Sequence, residues 1–224
     1  MSNTLDDPRP TIAVLGGTGA QGRGLARRLA SGGIQLILGS RDAGKAAVTA
    51  DALKEAVGGD IRGTDNRAAA AAADVVILAV PWDGHAQLVR SLRPQLEGKV
   101  VVNCVNPLGF DRHGPYAITV PEGSAAEQAQ ALLPASTVIG AFHHLSATLL
   151  EDPQIPTLDT DVLVLGDDPK AVDLVIAIAE VLPGVRGVFG GRLRNAHQVE
   201  ALTANLIAVN RRYKAHAGIR ITDL

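Results

Sequence analysis

Residues Thr11-Ile-Ala-Val-Leu-Gly-Gly-Thr-Gly-Ala-Gln-Gly22 run from a short apolar segment into a glycine cluster, and Arg23-Gly-Leu-Ala-Arg-Arg-Leu-Ala30 after them reads as a helix. Gly17, Gly19 and Gly22 stand in GxGxxG order. In that order the first glycine allows a tight strand-to-helix turn, the second lets the backbone approach a pyrophosphate, and the third lets the helix pack closely on the strand. Free N–H groups and the positive dipole end at the helix start then face the phosphates. With 24 glycines in the chain, the motif alone also fits an ordinary glycine turn. Its context points further: a second strand-like run, Ile34-Gln-Leu-Ile-Leu38, follows the helix and completes a βαβ unit, so the expected fold is a dinucleotide-binding one.

The end of that second run bears on which dinucleotide. An NAD site places Asp or Glu about 20 residues beyond the glycines to bind the ribose 2′-OH, and such a carboxylate repels a 2′-phosphate. Here the positions are Ser40 and Arg41, a hydroxyl and a planar guanidinium that both donate to phosphate, so the expected cofactor is NADP(H). Lys45, one helical turn beyond Arg41, offers a second positive charge or a solvated surface residue. Asp42 is the nearest acidic competitor.

The chain of 224 residues is 46% hydrophobic and 3% aromatic, so its core is built from Ala, Val, Leu and Ile. A net charge of −2 gives no basic field for nucleic acid. The single cysteine, Cys104, cannot form an internal disulfide and fits a reducing compartment. Residues 1–10 lack the basic and then apolar regions of a signal peptide and read as a flexible tail. No apolar run reaches membrane-spanning length, since Asp74 and Asp83 bracket the strongest one. The expectation is a soluble cytoplasmic protein.

Further along, a helix is expected over Ala43–Val57, closed by Gly58-Gly59, then a short strand over Ile61–Thr64 and a helix in the alanine run 68–73. Val75–Val80 is a continuous apolar run of the buried parallel-strand kind. Pro81-Trp82-Asp83-Gly84-His85 follows at its carboxyl end, where doubly wound sheets bind ligands. Trp82 reads equally as a core residue and as a cofactor contact, and His85 as a helix-surface residue or a donor to the cofactor's phosphates. A strand over Lys99–Asn103 leads to Asn106, which suits a turn or an amide contact. Residues 110–121 read as a loop. Ser124 caps a helix over Ala125–Leu133, with Glu127 as its capping-box partner. A strand over Thr137–Phe142 then ends at His143-His144. Adjacent histidines point different ways and no Cys or acidic ligands cluster near them in sequence, so no metal is expected. The C-terminal part carries a strand over Asp161–Gly166, a helix from Asp168-Pro169 to Glu180, a strand over Val185–Val188, and a final helix from about Arg194 to Lys214 with Leu202, Leu206 and Val209 on its core face. Fold class is therefore α/β, a Rossmann-type doubly wound, mainly parallel sheet over 11–150 with a small C-terminal α/β unit over 151–224.

Several motifs together are more specific. Gly16-Gly-Thr-Gly-Ala-Gln-Gly22, Gly39-Ser-Arg41 with Lys45, Val80-Pro-Trp82, Ala141-Phe-His143, Leu163-Val-Leu-Gly-Asp-Asp168 and Glu200-Ala-Leu-Thr203 resemble the NADPH-dependent coenzyme F-420 reductases, from about Thr11 to the C-terminus. The resemblance implies reversible hydride transfer between NADP(H) and the 8-hydroxy-5-deazaflavin coenzyme F-420, usually in a homodimer. It places Thr18, Gly19, Ala20 and Gln21 on the pyrophosphate and Ser40, Arg41 and Lys45 on the 2′-phosphate. Val80 and Pro81 line the path to the nicotinamide, which Ala147 approaches, and His85 is a further cofactor contact. His143 and Leu145 lie beside the stacked rings, with Thr203 completing the deazaflavin pocket; His144 stands where Thr is familiar. Two other readings stay open, an NADPH-dependent reductase of a small carbonyl or imine and a non-catalytic NADP sensor. Neither Tyr116 nor Tyr213 has Lys four positions on, as short-chain dehydrogenases require, and no Gly-Lys-Ser/Thr follows the glycine loop, which excludes a P-loop NTPase.

Overall fold

The computed structural model describes residues 9–224; the tail expected over residues 1–10 therefore lies, for 1–8, outside the described residues. The N-terminal half alternates β1 (Ile12–Leu15), α1 (Ala20–Ser31), β2 (Leu36–Ser40), α2 (Ala43–Val57), β3 (Ile61–Asp65), α3 (Asn66–Ala72), β4 (Val75–Leu78), α4 (His85–Leu96) and β5 (Val100–Asn103). A hairpin of β6 (Leu108–Asp111) and β7 (Gly114–Ala117) precedes α5 (Ala125–Leu132), β8 (Thr137–Gly140) and the short α6 (Ala147–Glu151). Then come β9 (Thr160–Leu165), α7 (Pro169–Glu180), β10 (Val185–Gly191), a 3-10 turn at Leu193–Asn195 and α8 (Ala196–Tyr213).

Eight strands form one sheet in the order β10-β9-β8-β5-β4-β1-β2-β3. From β3 to β8 all pairs are parallel. This is the doubly wound order, which reverses direction beside β1, between β2 and β4. The C-terminal strands extend that sheet: β9 meets β8 antiparallel at Gly140 and Leu165, and β10 runs parallel to β9. β1 shows why both faces must be covered. Ile12 and Val14 pack with Leu25 and Leu29 of α1 on one side, while Ala13 and Leu15 pack with Ala69 and Val89 on the other. Successive strand side chains alternate between faces, so a strand buried on both reads as an unbroken apolar run. The first of these core clusters also takes in Val172 and Ile178 of α7, so one core runs beneath both halves of the chain.

Local signals set several boundaries. Asp168 accepts from the Ala171 N–H and Pro169 opens α7, which satisfies an orphan donor and uses a residue with no N–H of its own to give. Ser124 likewise accepts from the Glu127 N–H, but Glu127 Oε2 accepts from the Ser124 hydroxyl instead of its backbone N–H. Three expectations are corrected. Residues 110–121, read as a loop, contribute to the β6–β7 hairpin, whose Pro115 stands opposite Phe110. The strand expected to reach Phe142 stops at Gly140, and Phe142 takes a positive φ of 64°. The buried face of α8 is Ala196, Val199, Glu200 and Ala204; small residues let the helix approach its neighbours, and Leu202, Leu206 and Val209 are turned outward or to the cleft.

Candidate cofactor cleft

Two adjoining cavities open at the carboxyl ends of β1 and β4, where the strand order reverses. They share Gly19, Ala79, Val80 and Pro81. The chain enters α1 through a turn whose left-handed residue is Gly16, with φ +82°, one position before the glycine that the fingerprint assigns to the turn. A side chain there would also strike the Ala79 carbonyl, at 2.3 Å from the added carbon. Gly22 performs the packing role: a Cβ would lie 2.4 Å from the Gly16 carbonyl oxygen. No side chain caps α1 at Gly19, so its first N–H groups point into the cleft with the positive end of the dipole.

The first cavity, about 570 Å³, is lined by Thr18, Ser40 and Arg41 with Asn66. Ser40 Oγ accepts from the Asp42 N–H, and Asp42 is occupied as the α2 cap, accepting from the Lys45 N–H. The carboxylate that could have opposed a 2′-phosphate is thus committed to its own helix. Lys45 sits exposed on the first turn of α2 and does not line the cavity.

The second cavity, about 510 Å³, brings together Ala20, Gln21, His143, Leu145, Ala147 and Thr203 from three separate stretches of the chain. Gln21 donates from Nε2 to the Phe142 carbonyl at 3.3 Å. The His143 carbonyl accepts from Asn106 Nδ2 at 2.8 Å and Thr203 Oγ1 at 3.3 Å, so the loop after β8 is pinned from three sides. A non-glycine residue at positive φ costs conformational energy, and Phe142 is held there by full burial. The His143 ring itself is not beside the cavity space. Its side chain is wholly buried and turned to Glu200, Nε2 to Oε1 3.9 Å, and neither ring nitrogen has a hydrogen-bond partner. The expected ring contact is corrected accordingly: what His143 presents to the cleft is main chain.

Burial sets the charges. The His143 pKa is pushed down to about 3, by burial first and then by His144, and burial takes His144 down to about 4, so both rings are neutral near pH 7. Glu200 accepts from the backbone N–H groups of Ala125 and Ala126 at the start of α5, yet burial raises its pKa to about 7. Cys104, at the cavity wall, donates to the Leu78 carbonyl at 2.9 Å and is pushed up to about 12 by burial; it is a structural thiol.

The expected His85 contact with the cofactor is corrected as well. It is fully buried, lines neither of these cavities, and directs Nε2 to Asn103 Nδ2 at 2.8 Å and Nδ1 to Gln128 Oε1 at 3.2 Å. Its place at the start of α4 suggests an exposed turn, but α5 packs over that turn. Asn66, Asn106, Leu206, Ile207, Asn210 and Ala217 also line the cleft, and of these Asn66 and Asn106 share a signal in the sequence, a polar residue just past a strand end. Among the described residues no group of three or more His, Cys, Asp or Glu could hold a metal ion.

The strand order, the bare glycine bridging two cavities and the uncapped helix make this a Rossmann-type, dinucleotide-binding protein. Residues 11–107 match the family model described as "NADP oxidoreductase coenzyme F420-dependent". The "F420-dependent NADP reductase" of Methanocaldococcus jannaschii is 40% identical over 221 residues, 95% of this chain and 98% of that protein. The protein of the same name from Methanothermobacter thermautotrophicus is 41% identical over 95% of each chain. A crystal structure from Arthrobacter sp. FB24 superposes with a TM-score of 0.77 at 27% identity, covering 94% of this chain and 98% of its own. The chain belongs to the F420-dependent NADP reductase family.

Proposed function

We propose that the protein transfers a hydride reversibly between NADP(H), whose 2′-phosphate end lies in the cavity beside Arg41 and whose nicotinamide end reaches the second cavity, and coenzyme F-420, which enters that second cavity beside Thr203. The observation that carries the assignment is the adjoining pair of cavities that share Gly19, Ala79, Val80 and Pro81, with bare backbone at Gly19 on one side of the junction. The residues fit the dinucleotide: the first N–H groups of α1 are uncapped, and Asn66 Oδ1 and Asn106 Oδ1, from two residues of the walls, have no hydrogen-bond partner. Thr18, Gly19, Ala20 and Gln21 would hold the pyrophosphate, Ser40 and Arg41 the 2′-phosphate, Val80 and Pro81 the path between, and Ala147 the nicotinamide end.

The hydride donor and acceptor are supplied by the two coenzymes; the protein binds and orients them. Thr203 and the pinned His143 carbonyl offer polar contacts, and Leu145 an apolar wall, for a ring held at reacting distance away from water. Proton donation is poorly served. Of the residues lining the second cavity, only Cys104, His143 and His144 are titratable, and burial keeps all three neutral, with the His143 ring turned away to Glu200. That favours hydride exchange between coenzymes over reduction of a small carbonyl or imine, which needs a proton donor. The C-terminal part, residues 151–224, supplies Thr203, Leu206, Asn210 and Ala217 to this half of the cleft.

The same reading makes the protein a cytoplasmic homodimer with no nucleic-acid partner. The compartment rests on the lone buried thiol, the absence of a nucleic-acid partner on a net charge of −2, and the homodimer on the family resemblance; among the described residues, no helix is long and apolar enough to cross a membrane. The test is stopped-flow absorbance after mixing protein with NADPH and oxidised F-420. Rapid bleaching of the deazaflavin band with NADPH and slow bleaching with NADH is expected; tight NADPH binding without bleaching would leave a sensor or another reductase.

A further inference from the structure

Beyond α8 the chain turns back over the cleft. Lys214 takes a left-handed conformation, φ 52°, and ends the helix. The following segment then returns past Asn210, whose Oδ1 accepts from the Ala217 N–H at 2.6 Å. Ala217 lines the cavity together with Thr203 and Asn210. Two residues on, Ile219 pairs with β9: its N–H donates to Thr160 Oγ1 at 3.1 Å and its carbonyl accepts from the Asp161 N–H at 2.7 Å.

The strap has little apolar anchorage. Its residues from Ala215 to Leu224 are exposed or half-exposed, none buried, so van der Waals packing does not hold it down. What holds it is polar and converges on one carboxylate. Asp161 is fully buried and accepts from Arg220 Nη1 at 2.6 Å, from the Ile221 N–H at 2.7 Å, and from Arg186 Nε and Nη2 at 2.9 and 2.7 Å. Arg186 in turn donates to the carbonyls of Ile221 and Leu224, and Arg220 also pairs with Asp159. Both guanidiniums therefore grip the strap and the strand at once. A buried carboxylate with several charge-assisted donors is costly to leave unpaired, so opposite charge at Asp161, added to the Asn210 and Thr160 hydrogen bonds and not to apolar burial, holds Ala217 against the cleft.

We propose that residues 215–221 are a detachable wall of the deazaflavin half of the cleft, latched by Asp161 and Arg220, and that this latch sets the affinity for the deazaflavin without setting that for NADP(H). The proposal rests on the assignment of this half to F-420. The geometry separates the strap from the anchoring end of NADP(H): Ala217 lines the second cavity beside Thr203 and Asn210, and the strap contributes nothing to the one lined by Ser40 and Arg41, where the 2′-phosphate would be held.

The test uses the full-length chain with Arg220→Ala, Arg220→Lys and Asp161→Asn. Arg220 is partly exposed and makes the safer variant for folding, and a wild-type far-UV circular dichroism spectrum and thermal melt certify each protein as folded. In Arg220→Ala the KM for F-420 is expected to rise by roughly tenfold or more while the Kd for NADPH stays within about twofold. Arg220→Lys, which keeps the charge, should recover part of the loss. Trypsin reads the latch independently, because Arg211, Arg212 and Lys214 are exposed at the hinge: cleavage after Lys214 should accelerate in Arg220→Ala and Asp161→Asn. Faster cleavage with an unchanged KM for F-420 would overturn the wall; no faster cleavage in either variant would overturn the latch. Parallel loss of NADPH and F-420 affinity would overturn the selectivity. Wild-type protein that bleaches no F-420 would instead remove the functional assignment, and this proposal with it.

Discussion

Arg41 carries the choice between the two nicotinamide dinucleotides, because Asp42 beside it is spent on capping α2. Arg41→Ala should weaken NADPH binding by about 1.5–3 kcal/mol, the worth of a charge-assisted hydrogen bond, and leave NADH binding nearly unchanged; titration with both dinucleotides checks this, and equal losses would refute it. Three buried groups make stability depend on pH with opposing signs. His143 and His144, held down at about 3 and about 4 against an ordinary 6.5, refuse protons that the unfolded chain accepts, so they cost stability as pH falls below 6.5. Glu200, raised to about 7 from 4.5, holds a proton that the unfolded chain has released, so it adds stability as pH falls from 7 to 4.5. Between pH 4.5 and 6.5 these three groups leave the fold short of one proton, a loss on the order of 1 kcal/mol per pH unit. His144→Gln removes one of the two histidine contributions and should flatten that slope in urea unfolding followed across this window; a slope as steep as the wild type's would show that His144 does not titrate on unfolding.

Elements differ in how much of their placement is written locally. α2 and α7 could be read from their own residues, since Asp168, Pro169 and the Gly58-Gly59 stop act within a turn of the boundary they set. The βαβ start was equally legible, because GxGxxG with a strand on either side has few other solutions. α6 was not: its terminal carbonyls at Leu149 and Leu150 are satisfied by the Arg28 guanidinium of α1, a partner no local pattern reveals. The inward face of α8 was also misread, because it carries alanine and a buried glutamate where a hydrophobic count favours leucine. His85 and the His143 ring went astray for the same reason, as both are buried by α5 or by Glu200 of α8, elements distant in sequence. Two substitutions separate the kinds of element. Gly22→Ala forces a carbon against the Gly16 backbone and should destabilise by about 1–3 kcal/mol while also weakening NADPH binding. Asp168→Ala, far from the cleft, should cost about 1 kcal/mol and leave the NADPH Kd alone. Chemical unfolding paired with equilibrium binding distinguishes them; Gly22→Ala with wild-type affinity would mean α1 need not sit tight on β1.

At the scale of the whole molecule, large apolar side chains remain uncovered on two elements that pack together. Phe110 and Tyr116 of the hairpin and Val209 and Tyr213 of α8 are exposed, and β7 lies against α8. The proposed homodimer would bury this surface, as exposed apolar patches mark association sites. Sedimentation should give a dimer for the wild type and a monomer for the Phe110→Asp, Tyr116→Asp double variant; a wild-type monomer would remove the dimer. Trp82, the only tryptophan in the chain, lines the second cavity and stacks on His85 with ring centroids 5.7 Å apart. The molecule thus carries a single intrinsic fluorophore at the place where an absorbing coenzyme would arrive. Quenching of its emission would report occupancy of the cleft in real time, with no label and no second tryptophan to subtract.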